Sequence, residues 1–204
     1  MAGNSMAVRD LEKIKKRRLQ IIQAAYDAIA LKGYNNFTVD DIAQMAGLSK
    51  GGVLHYFRSK DDILIHLLEH IYRLVETHIQ KRTAKYRTPE KKLKAMIISY
   101  IIVAKIQPTF YTVMVDFWAQ SSINRRMKEI STRIYGKMCL EMKKSIDLGI
   151  ASGEFKEVDS QNASFAIIAM VTNIAVQWTF NNSIYNIDHV LRKCMNLVMS
   201  YLRR

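Results

Sequence analysis

Turn formers are scarce in this chain, with 2 prolines and 8 glycines among 204 residues. Helix formers are plentiful and β-branched residues are scattered instead of alternating, so sheet folds are excluded and an almost wholly helical protein is expected. Cysteine is nearly missing too. Cys139 and Cys194 sit far apart among apolar neighbours, with no C-x-x-C spacing and no secretory leader ahead of them, so a reduced, cytoplasmic setting is expected. The longest apolar run, residues 95–104, is interrupted by Ser99. It is about half the roughly 18 residues that a membrane span requires, so the chain reads as soluble and no membrane partner is expected. Acidic residues are outnumbered, 18 against 31 basic ones, for a net charge of +13. That suits a polyanion or an anionic surface. Residues 1–60 carry 10 basic and 5 acidic side chains and residues 88–204 carry 16 and 9, so the excess is spread along the chain and does not by itself locate a site.

What is present is an ordinary globular mixture, 49% apolar and 24% charged, enough for a real core and against disorder. The length fits one large domain or a small head on a larger body. Residues 1–5, ahead of a second methionine at Met6, read as an overhang and are set aside. A helix is expected over 13–32, opening with Lys13, Lys15, Lys16, Arg17 and Arg18 and continuing with Leu19, Ile22, Ala25, Tyr26 and Ile29 at three and four spacing, until Gly33 stops it. Thr38 offers an N-cap with Asp41 in the capping-box position, Gly47 ends that short helix, and Ser49 caps another through Phe57. Ser59, Asp61 and Asp62 start a long helix to about Tyr86. Beyond residue 87 lie 8 of the 11 methionines and both tryptophans. Helices are expected there over 89–106, 109–121, 124–151, 159–181 and 186–203. Two domains follow, a head over 9–60 and a body over 61–204. No nucleophile, base and orienter form a recognisable set, and no Gly-rich loop follows a strand, so neither an enzyme nor a cofactor is expected.

The informative stretch is residues 39–58, VDDIAQMAGLSKGGVLHYFR. Its pattern is that of two helices crossing steeply over a tight turn, a helix-turn-helix. Ala43 allows close approach, Gly47 takes the left-handed conformation, and Ile42, Ala46, Leu48, Val53 and Tyr56 or Phe57 form a small core. In this geometry the second helix enters the major groove of double-stranded DNA by its N-terminal end, which brings Ser49, Lys50, Gly51, Gly52 and His55 nearest the bases. The two glycines each cost about 0.5–1 kcal/mol inside a helix. Close approach of the backbone to phosphates or base edges accounts for them; the bland alternative is a loosely formed first turn. Lys50 and His55 can reach base edges, whereas Thr38, Tyr56 and Lys60 are placed to anchor phosphates, with core packing the competing role for Tyr56.

The Gly33 and Thr38 lead-in, Ile42, Ala43, Ala46-Gly47-Leu48-Ser49 and His55-Tyr56-Phe57-Arg58-Ser59-Lys60 together resemble the TetR family of bacterial transcriptional regulators. The resemblance covers about residues 13–66. It implies an all-helical homodimer with a DNA-binding head and a larger body that binds a small-molecule effector and dimerises. Family members commonly carry an aromatic residue two positions before the tyrosine; this chain has Leu54, so the usual contact there is not carried over. Phe117-Trp118-Ala119 resembles a segment of the choline-responsive regulators of the family, and no ligand is carried over from three residues.

In the expected helix 159–181, Ala166, Met170, Asn173, Ile174 and Gln177 share one face, and two amides buried unpaired there would cost about 1–3 kcal/mol each. A ligand or a neighbouring helix would satisfy them. With Tyr100, Tyr111, Met114, Phe117, Trp118, Met138 and Trp178 they suggest an effector cavity with soft aromatic walls, fit for a cation or an acyl chain; plain core packing is the competing reading. Phe165, Ala169, Val176 and Phe180 with Leu191, Met195, Val198 and Leu202 suggest a four-helix dimer interface. One other motif stands out, His66-Leu67-Leu68-Glu69-His70, which fits H-x-x-E-H and would suit a metal-responsive regulator or a zinc-dependent hydrolase if a third ligand joined it. Its ordinary alternative is a solvated helix face. The expected function is a dimeric, ligand-responsive repressor released from a palindromic operator by its effector.

Overall fold

A computed structural model describes residues 2–203; Met1 lies outside them. Among the described residues there are nine helices and no strand: α1 (Ala2–Lys32), α2 (Val39–Met45), α3 (Lys50–Tyr56), α4 (Lys60–Thr83), α5 (Pro89–Ile106), α6 (Pro108–Gln120), α7 (Arg125–Ala151), α8 (Ser160–Phe180) and α9 (Ile187–Leu202). The expected all-helical class is what the chain adopts. The largest departure is at the start, where α1 begins eleven residues earlier than periodicity suggests. Leu19, expected on its apolar face, is exposed, and Ile21 and Ala28 take its place in the core.

The chain divides into two compact units, Met1–Ile71 and Tyr72–Arg204, with the division inside α4. In the first unit α1 packs on α2 and α3, and α2 on α3. Its core joins Ile21, Ile22, Ala25 and Ile29 of α1 to Phe37, Ile42, Val53, Phe57 and Ile63, all almost inaccessible. The start of α4 is set by side chains: the Ser59 hydroxyl accepts from the Asp62 N–H at 3.1 Å, and the Asp62 carboxylate accepts from the Arg58 N–H at 3.1 Å.

In the second unit α8 is the hub and packs against α5, α6, α7 and α9. Caps begin four of these helices: Thr88 for α5, Asn124 for α7, Asp159 for α8 and Asn186 for α9, each accepting a backbone N–H from its own first turn. Ile167, Ile168 and Val171 of α8 meet Ile97, Tyr100 and Ile101 of α5, Cys139, Met142 and Ile146 of α7, and Leu191, Val198 and Leu202 of α9 in one continuous core. By length and composition alone α8 is apolar enough to cross a membrane. It holds no long unbroken apolar run, because Ser164, Thr172 and Asn173 are spaced through it. Four helices flank it, and the side it turns to them joins the core while Phe165, Ala169 and Phe180 stay exposed.

Two contacts at one end of this unit are tight. Gly149 of α7 lies against Phe155, where an added Cβ would come within 2.1 Å of the ring. Gly149→Ala should therefore destabilise the second unit by about 1–3 kcal/mol through overpacking, read as a Tm lowered by several degrees. Beside this contact Glu90 accepts from Arg203 and from Lys94, while its own N–H donates to Glu154 at 3.0 Å. Those hydrogen bonds, led by that of Arg203, hold its carboxyl down to about 2. The lowered value makes its contribution complete above the ordinary pKa near 4.5 and lost as pH falls toward 2. The stability gap between wild type and Arg203→Ala should persist at neutral pH and close over that interval, as followed by thermal melts at stepped pH.

Candidate nucleic-acid interface

The geometry of residues 38–58 follows from their own hydrogen bonds. Thr38 and Asp41 form a reciprocal capping box: the Thr38 hydroxyl accepts from the Asp41 N–H at 3.2 Å, and the Asp41 carboxylate accepts from the Thr38 N–H at 2.9 Å. A hydrogen bond from Lys32, 2.7 Å away, is the main cause of the lowered pKa of Asp41. α2 then ends at Gly47, whose φ of +62° a residue with a side chain would adopt only under strain. That conformation turns the Leu48 N–H back onto the Ala43 carbonyl at 2.9 Å. Ser49 then caps α3 by accepting from the Gly52 N–H at 3.1 Å.

α3 buries Val53 and holds Leu48 and Tyr56 half-buried, while Ser49, Lys50, Gly51, Leu54 and His55 are exposed and Gly52 is half-exposed. Lys50 makes a 2.8 Å ion pair with Asp40 across the turn. Both partners are exposed, and such a pair is worth at most about 1 kcal/mol, so it yields readily to a stronger anion. His55 presents its edge to the Tyr56 ring, 5.1 Å between centroids. The glycines differ. A Cβ on Gly52 would press Ser49 Oγ at 3.3 Å, whereas one on Gly51 would meet nothing within 4 Å. Nothing inside the protein accounts for a glycine at 51.

Two residues expected to anchor phosphates are occupied within the head. The Thr38 hydroxyl, although exposed, both accepts from and donates to Asp41 in the capping box. The Lys60 ammonium donates to the Phe37 carbonyl at 2.7 Å and lies 3.8 Å from the centre of the Phe37 ring. Burial there pushes its pKa down. Lys60 is thus a clamp between α4 and the loop before α2. Arg18, unremarkable in sequence, holds the same unit together: it donates to the Tyr56 carbonyl at 2.6 Å and lies 4.2 Å from the centre of the Phe57 ring. Its other terminal nitrogen meets His66 Nε2 at 2.9 Å, and His66 Nδ1 faces the Asp62 carbonyl at 2.7 Å. Both ring nitrogens are engaged, which leaves His66 no lone pair for a metal and removes the basis of the H-x-x-E-H alternative at His66, Glu69 and His70. Among the described residues no group of three or more His, Cys, Asp or Glu side chains suits a metal ion.

In the second unit the expected effector residues fall into two groups. Tyr100, Met138, Met170, Ile174 and Trp178 lie in or against the continuous core. Tyr111, Met114 and Phe117 are buried on α6, and the Tyr111 hydroxyl donates to the Tyr100 carbonyl at 2.7 Å. Trp118 is 38% exposed and lies close enough to bear on the phenol of Tyr72, a residue of α4 absent from the expected set. Burial pushes the phenols of Tyr72, Tyr100 and Tyr111 above their ordinary pKa; Tyr100 also feels Tyr72, and Tyr111 feels both. Asn173 and Gln177 are exposed. They do not face this cluster's core, so the expected burial penalty does not arise.

The expected dimer residues divide similarly. Phe165, Ala169 and Phe180 are exposed on α8, and Asn173 and Gln177 share that face. Val176, Leu191, Val198 and Leu202 are instead buried within the single chain and Met195 is half-buried against its core. The apolar stripe of α9 is consumed by its own protomer. What α9 leaves outside is Leu197, 66% exposed, and Tyr201, 50% exposed, one turn apart.

A helix-turn-helix with an exposed second helix, followed by a helical body, defines a DNA-binding transcriptional regulator. The family model for bacterial regulatory proteins of the tetR family matches residues 21–67, and that for the C-terminal part of BetI-type transcriptional repressors matches residues 89–203. The chain belongs to the TetR family. It is 26% identical over 181 residues to the HTH-type transcriptional regulator BetI of Paraburkholderia phymatum, covering 86% of this chain and 88% of that protein. Two solved structures share the fold. A transcriptional regulator from Saccharomonospora viridis in complex with choline has a TM-score of 0.84 at 19% identity, over 93% of this chain and 99% of that one. The regulator FadR of Bacillus subtilis in complex with stearoyl-CoA has a TM-score of 0.79 at 25% identity, over 90% and 98%. This protein is accordingly a ligand-responsive DNA-binding regulator.

The open space at Gly51 separates the needs of folding from those of binding. Gly51→Ala should leave the head folded and stabilise it by about 0.5–1 kcal/mol, the difference between the two residues in a helix. It should weaken binding to a preferred duplex at least tenfold. Thermal melts and fluorescence anisotropy on the same preparation check both halves.

Proposed function

We propose that this regulator is a homodimeric, cytoplasmic repressor, without enzymatic activity, that holds a palindromic operator and releases it when a small cation binds the body. The observation that carries the DNA half is the exposed side of α3, where Ser49 and Lys50 in the first turn and His55 in the last flank a glycine that no internal contact requires. Lys50 and His55 read base edges, and the Gly51–Gly52 backbone makes the close approach. Tyr56 lies at the rim of that surface, half-buried.

Dimerisation through α8 and α9 is supported by Phe165, Ala169 and Phe180 with Leu197 and Tyr201, apolar side chains exposed on two neighbouring helices. Pairing of that face across a two-fold axis covers it and sets two heads for successive major grooves, about 34–36 Å apart. The resemblance to BetI-type repressors supports repression as the sense of regulation.

The cluster of Tyr72, Tyr100, Tyr111 and Trp118 supports a cationic effector, because ring faces attract a quaternary ammonium. The choline-bound relative carries such a ligand. Effector binding would act by tilting α4, whose 24 residues span about 36 Å, and so change the spacing of the two heads. A tenfold loss of operator affinity needs only about 1.4 kcal/mol of coupling, and DNA must weaken the effector by the same factor.

A duplex selected from a random library at physiological salt provides the test. It should contain an inverted repeat with half-sites about one helical turn apart, and choline should release it while stearoyl-CoA does not. Release by stearoyl-CoA alone overturns the cationic assignment, and failure to prefer any duplex over a scrambled competitor overturns the whole reading.

A further inference from the structure

The basic run at the start of α1 is divided by the fold. Arg18 turns inward, onto the Tyr56 carbonyl and the Phe57 ring. Lys13, Lys15 and Lys16 are exposed and have no hydrogen-bond or ion-pair partner among the described residues, and all of residues 10–16 stand clear of the core. At three and four spacing Lys13, Lys16, Arg17 and Gln20 share one face of the helix. The same face meets the helix-turn-helix: the Gln20 amide donates to the Ala46 carbonyl at 2.6 Å, at the entrance to the turn that delivers α3, and Arg17 donates to the Gln20 side chain at 2.9 Å. From Gln20 back to Lys13 is about 10 Å along the axis. A strip of three cations therefore runs along α1 to the turn that delivers α3. Within residues 13–18 there are five cations and no acid.

We infer that Lys13, Lys16 and Arg17 form a second DNA contact, which lies along the phosphate backbone beside the groove that α3 reads. The inference rests on the DNA-binding reading above. The strip has what phosphate contact needs: long cations at helical spacing, three of its positions exposed or half-exposed to solvent, held in register to the turn before the recognition helix through Gln20. It adds affinity and salt dependence without adding sequence preference. Leu11 and Ile14, also exposed, lie away from this face, so an anionic membrane is the competing partner and is tested beside DNA.

The experiment uses the full chain and the variant Lys13→Gln/Lys16→Gln/Arg17→Gln. The substituted side chains are exposed or half-exposed, and circular dichroism checks that helix content is kept. Affinity for the selected duplex is measured from about 50 to 300 mM salt, with a scrambled duplex and phosphatidylserine vesicles alongside. Each phosphate contact contributes about 0.9 to the slope of log affinity against log salt. The variant should bind at least tenfold more weakly at 100 mM salt with a slope lower by about 2 to 3, while the ratio of selected to scrambled affinity stays unchanged. An unchanged slope overturns the inference. So does a collapse of the ratio, which would make these residues base readers, and so does a loss confined to vesicles. Wild type that prefers the selected duplex while the variant matches it in slope refutes only the strip. Wild type without any preference refutes the DNA-binding reading as well.

Discussion

The left-handed backbone at Gly47 is the constraint on which the rest depends. Its φ of +62° closes the Leu48 N–H onto the Ala43 carbonyl and sends the chain out of α2 at the angle that α3 needs. With that angle set, Val53 and Phe57 turn into the core beside Ile42, and Ser49, Lys50 and His55 turn away from it. The burial of one side of α3 and the exposure of the other are a single event. A side chain at 47 would strain the turn and misdirect both.

Around that turn the cations of the first unit do two kinds of work. Arg18 and Lys60 point inward, satisfy the carbonyls of Tyr56 and Phe37, and lie over the Phe57 and Phe37 rings. They hold α1, α3 and α4 to one another and so fix where α3 stands. Lys50, Lys13 and Lys16 point outward; the first holds only an exposed carboxylate and the others nothing among the described residues. The surplus positive charge that composition reports as uniform is thus partitioned by the fold into a framework and a surface. Asp62 belongs to the framework too, since its carboxylate accepts from the Arg58 N–H at the start of α4.

Much of the head is legible in sequence because its signals are local. Thr38 with Asp41, Gly47 and Ser49 mark ends that hydrogen bonds within three to five residues enforce, so the short helices begin and end within a residue of expectation. Long-range employment is not legible in this way. Nothing near Lys60 in the chain indicates that its ammonium will sit on Phe37, and nothing near Arg18 indicates Tyr56. The early start of α1 also escaped, because residues 10–16 bury no apolar face and so show no periodicity toward a core. In the body the difficulty is surplus: α8 is apolar nearly all round, so its sequence does not say which side meets α5 and α7. Asn173 and Gln177 share a face with Met170 and Ile174 in sequence, yet they lie on the side left outside. For α9 the periodic stripe of Leu191, Val198 and Leu202 was correctly apolar but belongs to its own protomer, and Leu197 and Tyr201 are the remainder.

The central claim is that the exposed first turn of α3 lies against the bases while the body answers to the effector. Amide hydrogen exchange on the full chain, with and without an inverted-repeat duplex selected by the protein, addresses it most directly. Slowed exchange at residues 49–55, reversed when the effector is added, is the result this account predicts. Protein saturated with duplex but unprotected in that segment would contradict it.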